Sequence, residues 1–401
     1  MSNTTEFGGW PRPPRWVWAI AAVATVAVLA GVIVARTGLH RAMPTSAVTS
    51  PAAAAGNGGL RMPPRKPARM TGQPLPRAAG VRLMLGGRRP AWLWVATGRV
   101  QPIRGLPGRS NGYQLIRVAG GWAALPFPGS GVWCGDNCAP PPMPAYYIAD
   151  RSREASRLGA ADFVAPAATT GAVWLVSYRA GAVMPATRAT AQEFSVSGAA
   201  LGPRRRLPRG HVIDQATVAG LLLAPAPGRA GIARYQLWQP GTRRAGRSFQ
   251  NLIAVSPGEI AWMPACTARC TVHVLNLAGG PGRVIALPGR SQAYQGAFSP
   301  DGRLLALQVT ARIGAGGRAE ATRLAVAVVA DGRLTAVPGT TIGAGISVDF
   351  GWQAGSGRLV ADAGLQDAWQ VAEWRPGDTR LYVAITRPPA DTWPVAGPGP
   401  Y

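Results

Sequence analysis

The chain has 401 residues, 47% hydrophobic and 15% charged, with 42 Lys plus Arg against 17 Asp plus Glu and a formal charge of +25. That apolar fraction excludes a body that is disordered by composition. The charge invites a nucleic-acid reading, but Lys66 is the single lysine and the other 41 cations are arginines, in a chain also rich in Ala, Gly and Pro. This reads as GC-rich coding bias, and with no helix-turn-helix, zinc-finger or RNA-binding pattern present, nucleic acid is not expected as a partner.

Residues 1–15 read as a short cytoplasmic tail, and the next twenty, Trp16 to Ala35 (WVWAIAAVATVAVLAGVIVA), carry no charged or strongly polar side chain. At about 1.5 Å per residue they span about 30 Å as a helix, the thickness of a bilayer core, with Trp16 and Trp18 at interfacial depth. A transmembrane helix over 16–35 is therefore expected. The run is longer than a secretory apolar region, although a cut after Ala30 is the alternative. Leu29-Ala30-Gly31 resembles the start of a lipobox, but Val32 stands where cysteine is required.

Residues 36–80 read as a Pro/Ala/Gly/Arg-rich disordered linker. Between Glu6 and Asp136 there is no acidic residue and sixteen basic ones, so this stretch suits contact with anionic lipid or an envelope polymer. Arg12 and Arg15 on one side of the apolar run are matched by Arg36 and Arg41 on the other, so flanking charge leaves the orientation open.

From 81 to 386 the pattern is one of short apolar or alternating runs between Gly, Pro and Asp turns, without 3.6-residue periodicity. Strands are expected at Ala91–Ala96, Gly171–Tyr178, Thr271–Leu277, Leu304–Thr310 and Leu324–Ala330. A strand end recurs as RVQPIRGLPG at Arg99–Gly108, RLPRG at Arg206–Gly210, RVIALPG at Arg283–Gly289 and RLTAVPG at Arg333–Gly339. The residue before proline falls at 106, 207, 287 and 337; the gaps of 101, 80 and 50 divide into units averaging about 46 residues, with weaker ends near Leu158, Ser248 and Tyr382. That period fits about seven (or six) four-stranded β-propeller blades, an all-β fold. Residues 387–401 read as a Pro-rich flexible tail.

Phe298-Ser299-Pro300-Asp301-Gly302-Arg303-Leu304-Leu305-Ala306 resembles the inner hairpin of TolB-like and WD40-like β-propellers, an aromatic strand end followed by Ser-Pro-Asp-Gly and a return strand. Pro300 presets φ at the first turn position, and Asp301 and Gly302 tolerate the positive-φ corner, so a tight hairpin is expected. Asp331-Gly332-Arg333, Phe350 to Ala361 and Ile253 to Trp262 are looser copies, while the Gly-His and Trp-Asp dipeptides of true WD40 repeats do not recur.

The four cysteines form two pairs of equal spacing, Cys134-Gly-Asp-Asn-Cys138 and Cys266-Thr-Ala-Arg-Cys270. Local disulfides are the favoured reading, with free buried thiols and a zinc site as the alternatives; disulfides require an oxidising compartment and so place the large domain outside the cell membrane. In the propeller frame each pair follows a strand ending in Trp133 or Trp262, and each disulfide would stiffen a loop.

Catalytic signatures are scarce. There is no G-x-S-x-G elbow, Walker A loop or H-E-x-x-H helix. His211 with Asp214 is a candidate base and orienter, and Asp136 with Asn137 a candidate ligand-binding or turn-forming pair. No cofactor and no metal are expected. These features together predict a single-pass membrane-anchored extracytoplasmic propeller that acts as a binding or scaffold module for a protein, peptide or glycan. The alternative is a propeller enzyme, a lyase or hydrolase, using the central cavity or ring-top loops.

Overall fold

The computed structural model describes residues 70–107, 112–126, 142–178, 189–225, 234–240, 246–266, 269–313, 319–343, 348–353, 357–364 and 368–395. All of them lie in one compact unit, Pro51–Tyr401. The expected membrane span 16–35, most of the linker and the Cys134/Cys138 segment lie outside the described residues. Among the described residues no helix is long and apolar enough to cross a membrane.

The described chain is built from antiparallel four-stranded meanders laid down in order. Tyr113–Val118, Gly121–Pro126, Met143–Ala149 and Ala155–Ala161 form one, and Phe163–Pro166, Ala172–Ser177, Thr190–Ser195 and Arg205–Arg206 the next. Further meanders begin with His211–Thr217, Leu252–Val255, Ala293–Phe298 and Val348–Gln353. Most strands hold four to seven residues, and the first-to-second hairpins turn where a Gly, Pro or Asp interrupts the apolar run.

Closure uses both ends of the chain. Thr392–Val395 pairs antiparallel with Arg82–Gly87, completing the four-stranded set whose other members are Ala91–Trp94 and Arg99–Pro102. A single pair, Gly87 with Tyr113, joins that set to its neighbour as one eight-stranded sheet. In the opposite sense, Gln73–Pro74 pairs parallel with Tyr382–Thr386, the outer strand of the last meander. The expected boundaries at 81 and 386 are therefore too narrow. Sequence patterning missed both closing strands because a two-residue strand and a Pro-interrupted one carry no period of their own.

The core lies between sheets. Each hydrophobic cluster straddles two consecutive meanders: Ile285 and Leu287 pack with Leu305 and Leu307, Trp174 and Val176 with Ile213 and Leu223, and Leu222 and Tyr235 with Val255 and Ile260. The last cluster joins Val360 and Val371 to Leu83, Leu85 and Leu93 and so closes the circuit. Consecutive meanders, inter-sheet cores and terminal strand exchange define a β-propeller.

The recurring strand end now has a physical cause. It marks the fourth strand of a meander and the step to the next first strand. Leu207, Leu287 and Val337 are buried in the inter-sheet clusters. Their amides donate to the carbonyls of Ala189, Cys270 and Leu324 at 2.9–3.0 Å. In the Arg99 copy this place is taken by Ile103, which donates to Pro90, rather than by Leu106. The expected strand Leu324–Ala330 is observed as Ala319–Val328, extended at its start by pairing with Leu304–Ile313.

Candidate functional site

In such a meander the side on which first strands begin also receives every connection from second to third strand. On that side the connections are 88–90, 127–142, 178–189, 226–234, 263–270, 314–318 and 365–368; after the three-residue 88–90 they shorten from sixteen residues to four in chain order. On the opposite side the turns between first and second strands hold two to five residues. Third-to-fourth connections on that opposite side reach nine residues, at 196–204 and 239–247, so the first face is set apart by the two longest connections, 127–142 and 178–189. The Cys266/Cys270 segment belongs to this first face, in the 263–270 connection.

The disulfide between Cys266 and Cys270 is formed, with a Cα–Cα separation of 5.3 Å. Cys270 is buried and Cys266 packs against the same cluster, so the bond closes a tight loop directly before the strand Thr271–Asn276. That loop is tied to the start of its own sheet by Asn251, which sits at φ 48. The Met263 amide donates to the Asn251 carbonyl at 3.0 Å, and Asn251 Nδ2 donates to the Met263 carbonyl at 3.2 Å.

Three successive first strands are bulged near their starts, between Ile213 and Gln215, Leu252 and Ala254, and Ala293 and Gln295. A bulge re-aims a side chain and often borders a binding surface. Asp214, Ile253 and Tyr294 occupy these positions, and Tyr294 is 50% exposed. Sequence reasoning did not find this repeated irregularity, because a bulge is a property of pairing and not of residue type.

The structure places His211 at the first position of its strand, with Nδ1 3.1 Å from the Arg209 carbonyl oxygen. A carbonyl only accepts, so this contact uses the tautomer with the proton on Nδ1. Asp214 is buried at its bulge. Asp136 and Asn137 lie outside the described residues, as do Cys134 and Cys138. Among the described residues no group of three or more His, Cys, Asp or Glu is placed to hold a metal ion.

The Ser299-Pro300-Asp301-Gly302 turn lies on the opposite side. The Ser299 hydroxyl donates to Asp301 Oδ1 at 2.6 Å and accepts the Leu304 amide at 2.9 Å, while the Gly302 amide donates to the Ser299 carbonyl at 2.9 Å. Only Gly302 takes positive φ, at 71. Asp301 acts instead through its side chain, which also accepts the Arg303 amide; these bonds, led by that from Ser299, hold its carboxyl below the usual range.

Against this turn lies a residue the sequence did not single out, Glu259. Its Oε2 is buried without a hydrogen-bond partner. Burial, and then the charge of Asp301, push its carboxyl up to about 7. A visible clue was that Ser256-Pro257-Gly258-Glu259 copies the Ser-Pro turn with a carboxyl at the foot of the return strand. Asp162 is similar: burial lifts it to about 6, against the bond from the Tyr178 amide at 2.7 Å. Glu259 and Asp162 are thus ionisable groups whose titration burial lifts within the frame.

The fold defines the class as a β-propeller. No protein-family profile and no curated protein matches the chain. Solved structures do. TolB from Acinetobacter baumannii is similar at 10% identity and TM-score 0.40, over 78% of this chain and 65% of that one. The β-propeller domain of the Trilobed protease from Pyrococcus furiosus is similar at 8% identity and TM-score 0.44, over 76% and 88%. Prolyl oligopeptidase B from Galerina marginata is similar at 8% identity and TM-score 0.45, over 77% and 52%. The chain spans less than two thirds of the length of the first and third of these.

Proposed function

We propose that the chain is a seven-bladed, TolB-like propeller, with the eight-stranded sheet counted as two blades, held outside the cell membrane by a helix over Trp16–Ala35 and acting as a binding or scaffold module of the cell envelope. The observation that carries the binding role is the placement of the two longest connections, 127–142 and 178–189, on one face. Scaffolds keep their short turns where packing is all that matters and place variable loops where a partner is met.

The partner is an acidic protein, peptide or glycan. The long connections and their flanks carry Arg179, Arg188, Arg229, Arg234 and Arg269 against the single carboxylate Asp136, so their own charge favours an anionic surface. The basic stretch before the propeller suits anionic lipid in the same way. The cysteine pairs support the outside location, since a formed Cys266–Cys270 bond calls for an oxidising compartment.

The test is in-membrane crosslinking of the full chain, followed by replacement of 127–142 with a two-residue turn. Partner capture lost on shortening, and restored with the native connection, supports the reading; undiminished capture overturns it. Protease shaving of intact cells checks the location, which protection of the propeller would reverse. The enzyme reading requires a turnover that disappears in both His211→Ala and Asp214→Asn.

A further inference from the structure

We propose that residues 70–79 are a second clasp that locks the seam between the first and last sheets, so that docking of this segment and closure of the propeller are one event. The segment precedes the first full strand and read as linker from its composition, yet it is stitched along its length.

At its start, Met70 is buried in the cluster between the last two sheets. The Gln370 side chain holds both sides of its peptide: the Met70 amide donates to Gln370 Oε1 at 2.7 Å, and Gln370 Nε2 donates to the Met70 carbonyl at 2.6 Å, all of it buried. The Thr71 amide then donates to the Gly339 carbonyl at 2.8 Å. Two glycines make this approach possible, because a Cβ on Gly339 would strike the Thr71 carbonyl and one on Gly72 the Leu381 carbonyl. The amides of Gln73 and Leu75 donate to Leu381 and Val383 at 2.8 and 2.9 Å, building the parallel pair.

The later part reaches the seam itself. Leu75 and Ala79 pack against the cluster that joins Val360 and Val371 to Leu83, Leu85 and Leu93. The Ala79 carbonyl accepts Arg358 Nη1. Arg358 is in turn held at 3.0 Å by Glu373, whose side chain is 5% exposed. The first-numbered part of the chain thus grips the last sheet, while the last strand, Thr392–Val395, grips the first sheet. The two crossings run in opposite directions over one boundary, and opening the boundary must break both.

Native-state hydrogen exchange on the full chain tests this, because cooperative units share one opening free energy. In the unmodified protein under sub-denaturing urea, the amides of Thr71, Gln73 and Leu75 are expected to merge with those of Met84–Gly87 and Thr392–Val395 into a single isotherm. Gln73→Pro, at an exposed position, removes one clasp bond, and Gln370→Ala removes two. Both are expected to speed exchange at least tenfold in Met84–Gly87 and Thr392–Val395, on the far side of the seam. Faster exchange confined to 70–79 and Tyr382–Thr386, with the seam strands protected as before and separate isotherms in the parent, would show a passively docked linker and overturn the proposal.

Discussion

The Glu259 carboxyl, at the start of one sheet's second strand, rests against Gly302 in the turn of the next sheet, with Oε2 2.7 Å from where a Cβ at 302 would stand. The pair couples the first-to-second hairpins of two neighbouring sheets. It also places an ionisable group where its charge has no partner.

Glu259 therefore sets a pH slope. Its folded value of about 7 lies above the ordinary 4.5, so between these values the folded state binds more protons than the unfolded state. Stability falls as pH rises through that window and levels off above it. Glu259→Gln is expected to remove this slope, leaving the variant more stable than the parent at alkaline pH and equal to it below about pH 4. Urea midpoints across pH check this; equal slopes in the two proteins would exclude it.

Gly302→Ala meets both a positive φ and the Glu259 oxygen. The oxygen ends a flexible side chain and can move aside, so backbone strain dominates and the cost is about 1–2 kcal/mol. Adding Glu259→Ala is expected to recover only the smaller, steric part, as a double-mutant cycle on unfolding free energy will show.

Ser299→Ala removes a hydroxyl that is 5% exposed and bonds both Asp301 and the Leu304 amide. The stranded amide sets the loss at about 2 kcal/mol. The same change raises the Asp301 titration toward the ordinary aspartate range, which carboxyl NMR reads directly.

Removal of the Cys266–Cys270 bond by a double change to alanine is expected to cost about 2 kcal/mol, the chain-entropy figure for a five-residue loop. The propeller stays folded, because its inter-sheet clusters are untouched. Faster exchange of the Met263 amide, which Asn251 holds, is the local signature.

The repeat was legible because each sheet ends the same way. A buried aliphatic residue before a Pro or turn recurs wherever a fourth strand hands over to the next sheet, and Leu207, Leu287 and Val337 do this with matching bonds. Ser299 to Gly302 was legible for a similar reason, its turn being written in four adjacent residues. Of the two residues that tolerate the left-handed corner, Gly302 takes it, and Asp301 caps the turn with its side chain instead.

Glu259, Tyr294 and Gln370 were not legible. The first owes its character to a turn about forty residues away, the second to a bulge in its ladder, and the third to Met70 at a separation of 300 residues. None of these relations leaves a local spacing to read.

By itself the sequence determined the all-β class, the unit length, the positions of the outer strands and the apolar run at Trp16–Ala35, because each follows from periodicity and turn chemistry over a few neighbouring residues. Only the tertiary structure decided which strands close the propeller, that residues 70–79 belong to it, which face carries the long connections and where a carboxyl goes unpaired. Those depend on contacts between distant segments, whose energies are set by burial and geometry once the sheets have met.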